Sequence, residues 1–152
     1  LYSEVYRLDV RYARIFNTSG YGKIGDVISD FTKRIVETKE DTIKVGNLKP
    51  LRCFLHVEDT LNALKIIMKK GISGEAYNIC ASQEYRVGDI LRIVGEVYGR
   101  EIKPSLDENL LRPTDEPRII GSSKKLINLG WKESYVIQDI VSDCIKFHMK
   151  NL

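Results

Sequence analysis

The sequence predicts an α/β fold. Helical apolar stripes alternate along it with short β-prone runs, the pattern of strands connected by crossover helices. The β-prone runs are short and rich in β-branched or aromatic residues, and most are followed by turn residues or a capped helix start. No internal repeat, low-complexity tract or hinge divides the chain, so residues 1–152 read as one domain.

Each element has a local reason. Leu1, Val5 and Leu8 share a helical face and predict the last two turns of a helix, broken at Asp9. Residues 10–16 (VRYARIF) predict a strand, and residues 17–22 (NTSGYG) are turn chemistry. Asp26 caps a helix running to about Lys39, with Val27, Phe31 and Ile35 as its stripe and Ile28 beside it. A β-prone run at 43–45 stops at Gly46-Asn47, where the backbone turns at little cost, and Lys49-Pro50 holds the turn open. Arg52 precedes an apolar run at 54–57, and Glu58-Asp59 open a helix to Lys70 that directs Leu61, Leu64, Ile67 and Met68 inward. Lys69, Lys70 and Gly71 end it. A strand is expected over 75–80. A helix is expected over 87–98 on Ile90, Leu91, Val94 and Val97, closed by Gly99. A short strand at 102–103 leads to an irregular link over 104–118 that holds Pro104, Pro113 and Pro117. Ser122 or Ser123 caps a short helix over 124–129. A closing amphipathic helix covers 137–149 on Ile137, Ile140, Val141, Ile145 and Phe147-His148.

Composition removes several functions. At 43% hydrophobic and 30% charged, the chain has ordinary globular composition and is long enough to bury a core. A net charge of +3, interleaved along the chain, is too weak and dispersed for a nucleic-acid track, so no nucleic-acid partner is expected. No apolar run reaches the ~20 residues of a membrane span, so no membrane partner is expected either. Three cysteines and two histidines have no metal-ligand spacing, which favours reduced thiols and a cytoplasmic setting.

Two arginines stand out. Arg52 and Arg112 each sit alone among apolar or turn residues, unlike Lys33-Arg34 or Lys124-Lys125 on solvated faces. A planar guanidinium matches diphosphate oxygens better than an ammonium does, and each charge-assisted hydrogen bond nets roughly 1.5–3 kcal/mol. The plainer alternative pairs each with a nearby carboxylate, Arg52 with Asp59 or Arg112 with Asp115.

Motifs around both arginines carry a resemblance. Gly46-Asn47-Leu48, Arg52, Phe54, His56 and Asp59 fit G-N-L-x-x-x-R-D-(F/W)-x-H-x-x-D. Residues 111–131 (LRPTDEPRIIGSSKKLINLGW) fit L-R-P-(S/A)-E-x-P-x-x-x-G-(D/S)-x-x-K-L-x-x-x-x-G-W, and Arg14, Phe16, Asn17, Gly20 and Gly22 fit R-x-F-N-x-x-G-x-G. On these residues the chain resembles the GDP-mannose 4,6-dehydratase group and its 4-keto-6-deoxy reductase relatives, which are extended short-chain dehydrogenases of the epimerase/dehydratase family.

The resemblance implies that residues 1–152 form the carboxyl-terminal half of such an enzyme: the last Rossmann strands plus a small α/β substrate-binding subdomain. It places Arg52 and Arg112 on the diphosphate of a GDP-sugar and Asp115 on a ribose hydroxyl. Asn17 lies near the sugar, the backbone of Lys44, Val45 and Gly46 lies against the base, and Arg14 and Phe16 lie beside the nicotinamide. It also implies a homo-oligomer.

Departures accompany the match. Cys53 stands where the family has an aspartate that orients the arginine, Asp115 is one methylene shorter than the usual glutamate, Arg11 lies in a usually apolar run, and Lys132-Glu133 replaces Lys-Pro. Phe31 fills a slot that is often lysine in the dehydratases, which leans toward the reductase branch, with Lys33 nearby as the candidate for the same work. Trp131, Cys53 and His56 are expected to pack rather than react.

The sequence contains no G-x-x-G-x-x-G after an opening strand and no Tyr-x-x-x-Lys pair. The resemblance implies NAD or NADP for an intact enzyme, and these absences predict neither cofactor binding nor catalysis for this chain alone. A non-catalytic nucleotide- or protein-binding module of the same fold is the alternative, and a purely structural fragment associating through the 10–16 strand is a further one.

Overall fold

The computed structural model describes residues 2–112 and 114–152, so Leu1 and Pro113, both used above, lie outside the described residues. In chain order the elements are α1 (Tyr2–Val5), β1 (Tyr12–Ile15), β2 (Thr18–Ser19), α2 (Val27–Glu37), β3 (Thr42–Val45), β4 (Leu51–Arg52), β5 (Leu55–His56) and α3 (Val57–Lys70). There follow β6 (Ala76–Ile79), β7 (Tyr85–Arg86), α4 (Val87–Tyr98), β8 (Lys103–Leu106), a 3₁₀ turn (Glu108–Leu110), β9 (Arg118–Ile119), α5 (Lys124–Asn128) and α6 (Ile137–Lys150).

Parallel pairing dominates. β1 pairs with β6, β2 with β5 and β3 with β8, all parallel, and β4 lies between antiparallel β7 and parallel β9. Parallel neighbours need long crossovers, which the helices supply.

Two apolar clusters result. In the first, α2, α4 and α6 pack on one another and on β3 through Ile28, Phe31, Ile35, Val45, Ile90, Val94, Ile140 and Val141. The second gathers Leu55, Ala63, Ile67, Tyr77, Ile79, Leu126 and Trp131 beneath β5, β6 and α3. The caps follow the sequence signals. Asp26 accepts from the Ser29 amide at 2.8 Å, and Gly99 closes α4 in the left-handed region at φ 81°.

Four differences from the sequence reading have physical causes. First, α3 does not bury Leu61 or Met68, which are 42% and 74% exposed. Its inward face is Asp59, Thr60, Ala63 and Ile67 with Leu64 packed beside it, so Ile67 and Leu64 face the core as expected while the face turns toward Asp59 and Ala63. The Asp59 carboxylate is drawn in by the backbone amides of Ser134 and Tyr135, at 3.0 and 3.1 Å, and Ala63 and Ile67 follow at helical spacing.

Second, β2, β7 and β9 are two residues each, too short for periodicity to reveal. Third, β8 includes Pro104 and extends into the expected irregular link; among the described residues it pairs only with β3, and such an edge tolerates proline. Fourth, α1 is a single turn, and its Tyr2 and Val5 side chains are exposed.

No helix among the described residues is long and apolar enough to cross a membrane. Ile90, fully buried between the three helices, is the test of the first cluster. Ile90→Ala is expected to destabilise the chain by roughly 2–5 kcal/mol, whereas Met68→Ala stays within about 0.5 kcal/mol. Urea midpoints of the two variants check this.

Candidate functional site

β4 presents Arg52 on the middle strand of its sheet, and the segment before β9 brings Asp115 to it from 63 residues away. Arg52 Nη2 lies 2.9 Å from Asp115 Oδ1, and the two side chains are only 14% and 19% exposed. Arg52 Nη1 donates to the Leu51 carbonyl at 2.8 Å. The other carboxylate oxygen of Asp115 accepts from Asn47 Nδ2 at 3.3 Å, while Asn47 Oδ1 accepts from the Lys49 amide at 3.0 Å. Asn47 thus closes its own turn and holds Asp115.

The ion pair that forms is neither of those expected from sequence distance. Asp59 is fully buried and serves the 134–135 backbone, and Arg112 is exposed with no hydrogen bond or ion pair to a described residue. Arg112 sits three positions before Asp115 in the chain.

Gly46 follows β3 where the Leu110 carbonyl oxygen stands 2.6 Å from the position of an added Cβ, so only glycine fits. The Lys44 carbonyl accepts from Arg34 Nη1 at 2.6 Å and the Val45 carbonyl from the Asp107 amide at 2.9 Å. Lys44 Nζ is 3.5 Å from Asp107 Oδ2. These contacts fix the wall formed by residues 44–46 and close the 107–111 segment over Gly46.

A cavity of about 530 Å³ opens at the carboxyl end of β1, lined by Ile15, Phe16, Asn17, Thr18, Lys23, Asp26 and Ile119. Its size suits a sugar or a single heteroaromatic ring. Asn17 is neither a cap nor an Asx turn; its Nδ2 donates to the Cys53 carbonyl at 3.2 Å, and its carbonyl accepts from the Leu55 amide. Phe16 is half-buried with its ring over Gly121, where an added Cβ would come within 2.5 Å of Cζ. Arg14 is exposed on β1, bordering a second cavity with Asn78, Ser122, Lys124 and Lys125. The structure therefore divides the sequence-assigned residues between a charged locus (Arg52, Asp115) and the cavity (Phe16, Asn17), with Arg112 exposed three positions before Asp115 in the chain. Residues 44–46 and Arg14 lie outside that cavity's lining. Asn47, visible in the sequence as a turn residue, also holds Asp115, and Lys23, which no motif marks, lines the cavity.

Gly20-Tyr21-Gly22-Lys23-Ile24-Gly25 has G-x-G-x-x-G spacing and precedes α2, which the sequence reading passed over. It does not fit a dinucleotide pyrophosphate. The Asp26 carboxylate caps α2 where such a phosphate would sit, placing negative charge on the helix amides. The described residues of this segment thus offer no cradle for dinucleotide phosphates.

The residues expected to pack do so. Trp131 is 1% exposed and its Nε1 donates to the Asp59 carbonyl at 3.1 Å. His56 is 3% exposed; Nδ1 accepts the Glu58 amide at 3.2 Å, which leaves the Nε2 hydrogen for Asp143 Oδ2 at 3.3 Å. Its ring stacks on Tyr135 at 3.9 Å. Phe31 is buried in the first cluster, and Lys33 is exposed beside Glu37. Burial raises all three thiols, Cys80 to about 11, so none is an activated nucleophile. No metal-holding group of side chains occurs among the described residues.

The parallel pairing and crossover helices define the class: the fold is that of the extended short-chain dehydrogenases, of which this chain makes up about half. It superposes on a Pseudomonas aeruginosa protein, RMD, solved with NADPH, with a TM-score of 0.91 at 24% identity over 99% of this chain and 52% of that one. A dTDP-glucose 4,6-dehydratase from Bacillus anthracis solved with NAD gives 0.81 at 22%, covering 99% and 48%. The chain belongs to the GDP-mannose 4,6 dehydratase family, whose model matches residues 1–144. Among curated relatives, GDP-6-deoxy-D-mannose reductase of Pseudomonas aeruginosa is 29% identical over 85% of this chain and 44% of its own length. GDP-L-fucose synthase 1 of Arabidopsis thaliana is 31% identical over 80% and 37%. The chain spans less than half the length of these relatives.

The thiol chemistry is testable. A thiol raised to about 11 holds only ~0.1% thiolate at pH 8, and burial hides it further. In the folded chain Cys53, Cys80 and Cys144 are expected to resist Ellman's reagent at pH 8, and all three should react in strong denaturant.

Proposed function

We propose that this chain is the GDP-sugar-binding portion of an NAD(P)-dependent enzyme, either a GDP-mannose 4,6-dehydratase or a 4-keto-6-deoxy-sugar reductase. The carrying observation is the meeting of Arg52 and Asp115 across the fold, with Arg112 exposed three residues away. Two guanidinium groups and a carboxylate on two converging segments suit a ligand with a diphosphate beside a diol.

In this reading Arg52 and Arg112 hold the two phosphates, and Asp115 accepts a ribose hydroxyl. The backbone of Lys44, Val45 and Gly46 faces the base. Asn17 keeps one amide oxygen for the sugar while its nitrogen is anchored on Cys53. Phe16 and Arg14 flank the nicotinamide. When bound, that cofactor exchanges a hydride with the sugar. The residues of this chain bind and orient; no Tyr-x-x-x-Lys pair is present in it to move the accompanying proton. Phe31 in the core, together with relatives named as a reductase and a fucose synthase, favours the reductase branch. The intact enzyme would be a cytoplasmic homo-oligomer.

Calorimetric titration tests the reading. The chain is expected to bind GDP-mannose in preference to GMP and to UDP-sugars, without turnover and without retaining NAD. Arg52→Ala and Arg112→Ala should each weaken GDP-mannose binding about 10- to 100-fold, the equivalent of one charge-assisted contact. Equal affinity for GDP- and UDP-sugars, or hydride transfer by this chain alone, contradicts the assignment.

A further inference from the structure

The Arg52 guanidinium is already engaged. Asp115 takes Nη2 at 2.9 Å, the Leu51 carbonyl takes Nη1, and Asn47 occupies the second oxygen of Asp115 at 3.3 Å. An anion arriving at Arg52 therefore meets a half-buried carboxylate first, and both oxygens of that carboxylate are satisfied. Displacing Asp115 leaves it unpaired unless the incoming molecule supplies hydrogen-bond donors in return, and an unpaired, partly desolvated charge is strongly unfavourable.

We propose that Asn47 and Asp115 form a latch on Arg52 that makes the site selective for ligands carrying a phosphate and a diol together. Resting on the nucleotide-sugar reading above, the latch adds a positioning role for Asn47 and a second role for Asp115. A nucleoside diphosphate satisfies both partners of the opened pair: its phosphate takes Arg52, and its ribose hydroxyls donate to Asp115. Inorganic pyrophosphate satisfies only Arg52 and strands Asp115. Discrimination then arises from a penalty imposed on the wrong anion, as in other sites that select by leaving groups unpaired. Arg112 has no partner to surrender among the described residues, so it engages either anion without this penalty. Asn47 sets the strength of the latch, because its own oxygen is pinned by the Lys49 amide and its nitrogen is thereby aimed at Asp115.

The experiment measures GDP and inorganic pyrophosphate affinities, at constant ionic strength, for the wild-type chain, Asp115→Asn and Asn47→Ala. Each variant is first checked for a wild-type circular dichroism spectrum. The wild type is expected to prefer GDP. Asp115→Asn should bind pyrophosphate about 5- to 10-fold more tightly while GDP binding weakens, and Asn47→Ala should move pyrophosphate the same way by about 2- to 3-fold. A merely structural role would weaken both ligands together and leave their ratio unchanged. Pyrophosphate affinity unchanged or lowered in both variants, with wild-type GDP binding intact, overturns the latch alone. A wild-type chain that binds no GDP overturns the nucleotide-sugar reading and the latch with it. If Asp115→Asn does not fold, Asn47→Ala decides the question by itself.

Discussion

The architecture turns on one buried carboxylate. Asp59 lies in the first turn of α3, under the second apolar cluster, and its Oδ2 receives the amides of Ser134 and Tyr135. Its carbonyl receives the Trp131 indole. These three bonds stitch the segment leading into α6 onto the start of α3, although α6 belongs to the other cluster. The two cores are thereby held in one register. β4, which carries Arg52, and the following Cys53, whose carbonyl anchors Asn17, lie in the stretch just ahead of this junction.

Electrostatics at the site obeys the same economy. Most ion pairs among the described residues are exposed, such as Arg118 with Glu84 and Arg92 with Glu96, and are of the kind that contribute little to stability. The Arg52–Asp115 pair differs in being shielded and in having its carboxylate held by a third residue. Its cost and its information both come from that shielding, since a water-exposed pair would yield to any anion.

Much of this was legible in the sequence. Helices with full stripes and capping residues, α2 and α4 above all, fall almost where periodicity put them, because burial, cap and stop agree there. The phase of α3 was not legible, since it is set by a polar residue, Asp59, whose partners lie more than seventy positions away. The two-residue strands β2, β7 and β9 were invisible because pairing, not propensity, makes them. At the site, motif spacing singled out Arg52, Arg112 and Asp115 without revealing which would touch. Distance along the chain suggested Asp115 for Arg112, whereas β9, lying beside β4, delivers it to Arg52. The glycine spacing at 20–25 illustrates the reverse: a pattern whose meaning is cancelled by the next residue, Asp26.

β1 carries a consequence for handling the protein. Among the described residues it pairs only with β6, and all four of its residues are exposed, including Tyr12 and Ile15. Among the described residues no strand covers its outer rim, and an uncovered strand edge is a template for a further strand. Arg14 is exposed on the same strand, and a charge on a strand edge disfavours pairing with an identical edge. Concentrated salt, by screening that charge, would turn the rim from a shielded border into an adhesive one.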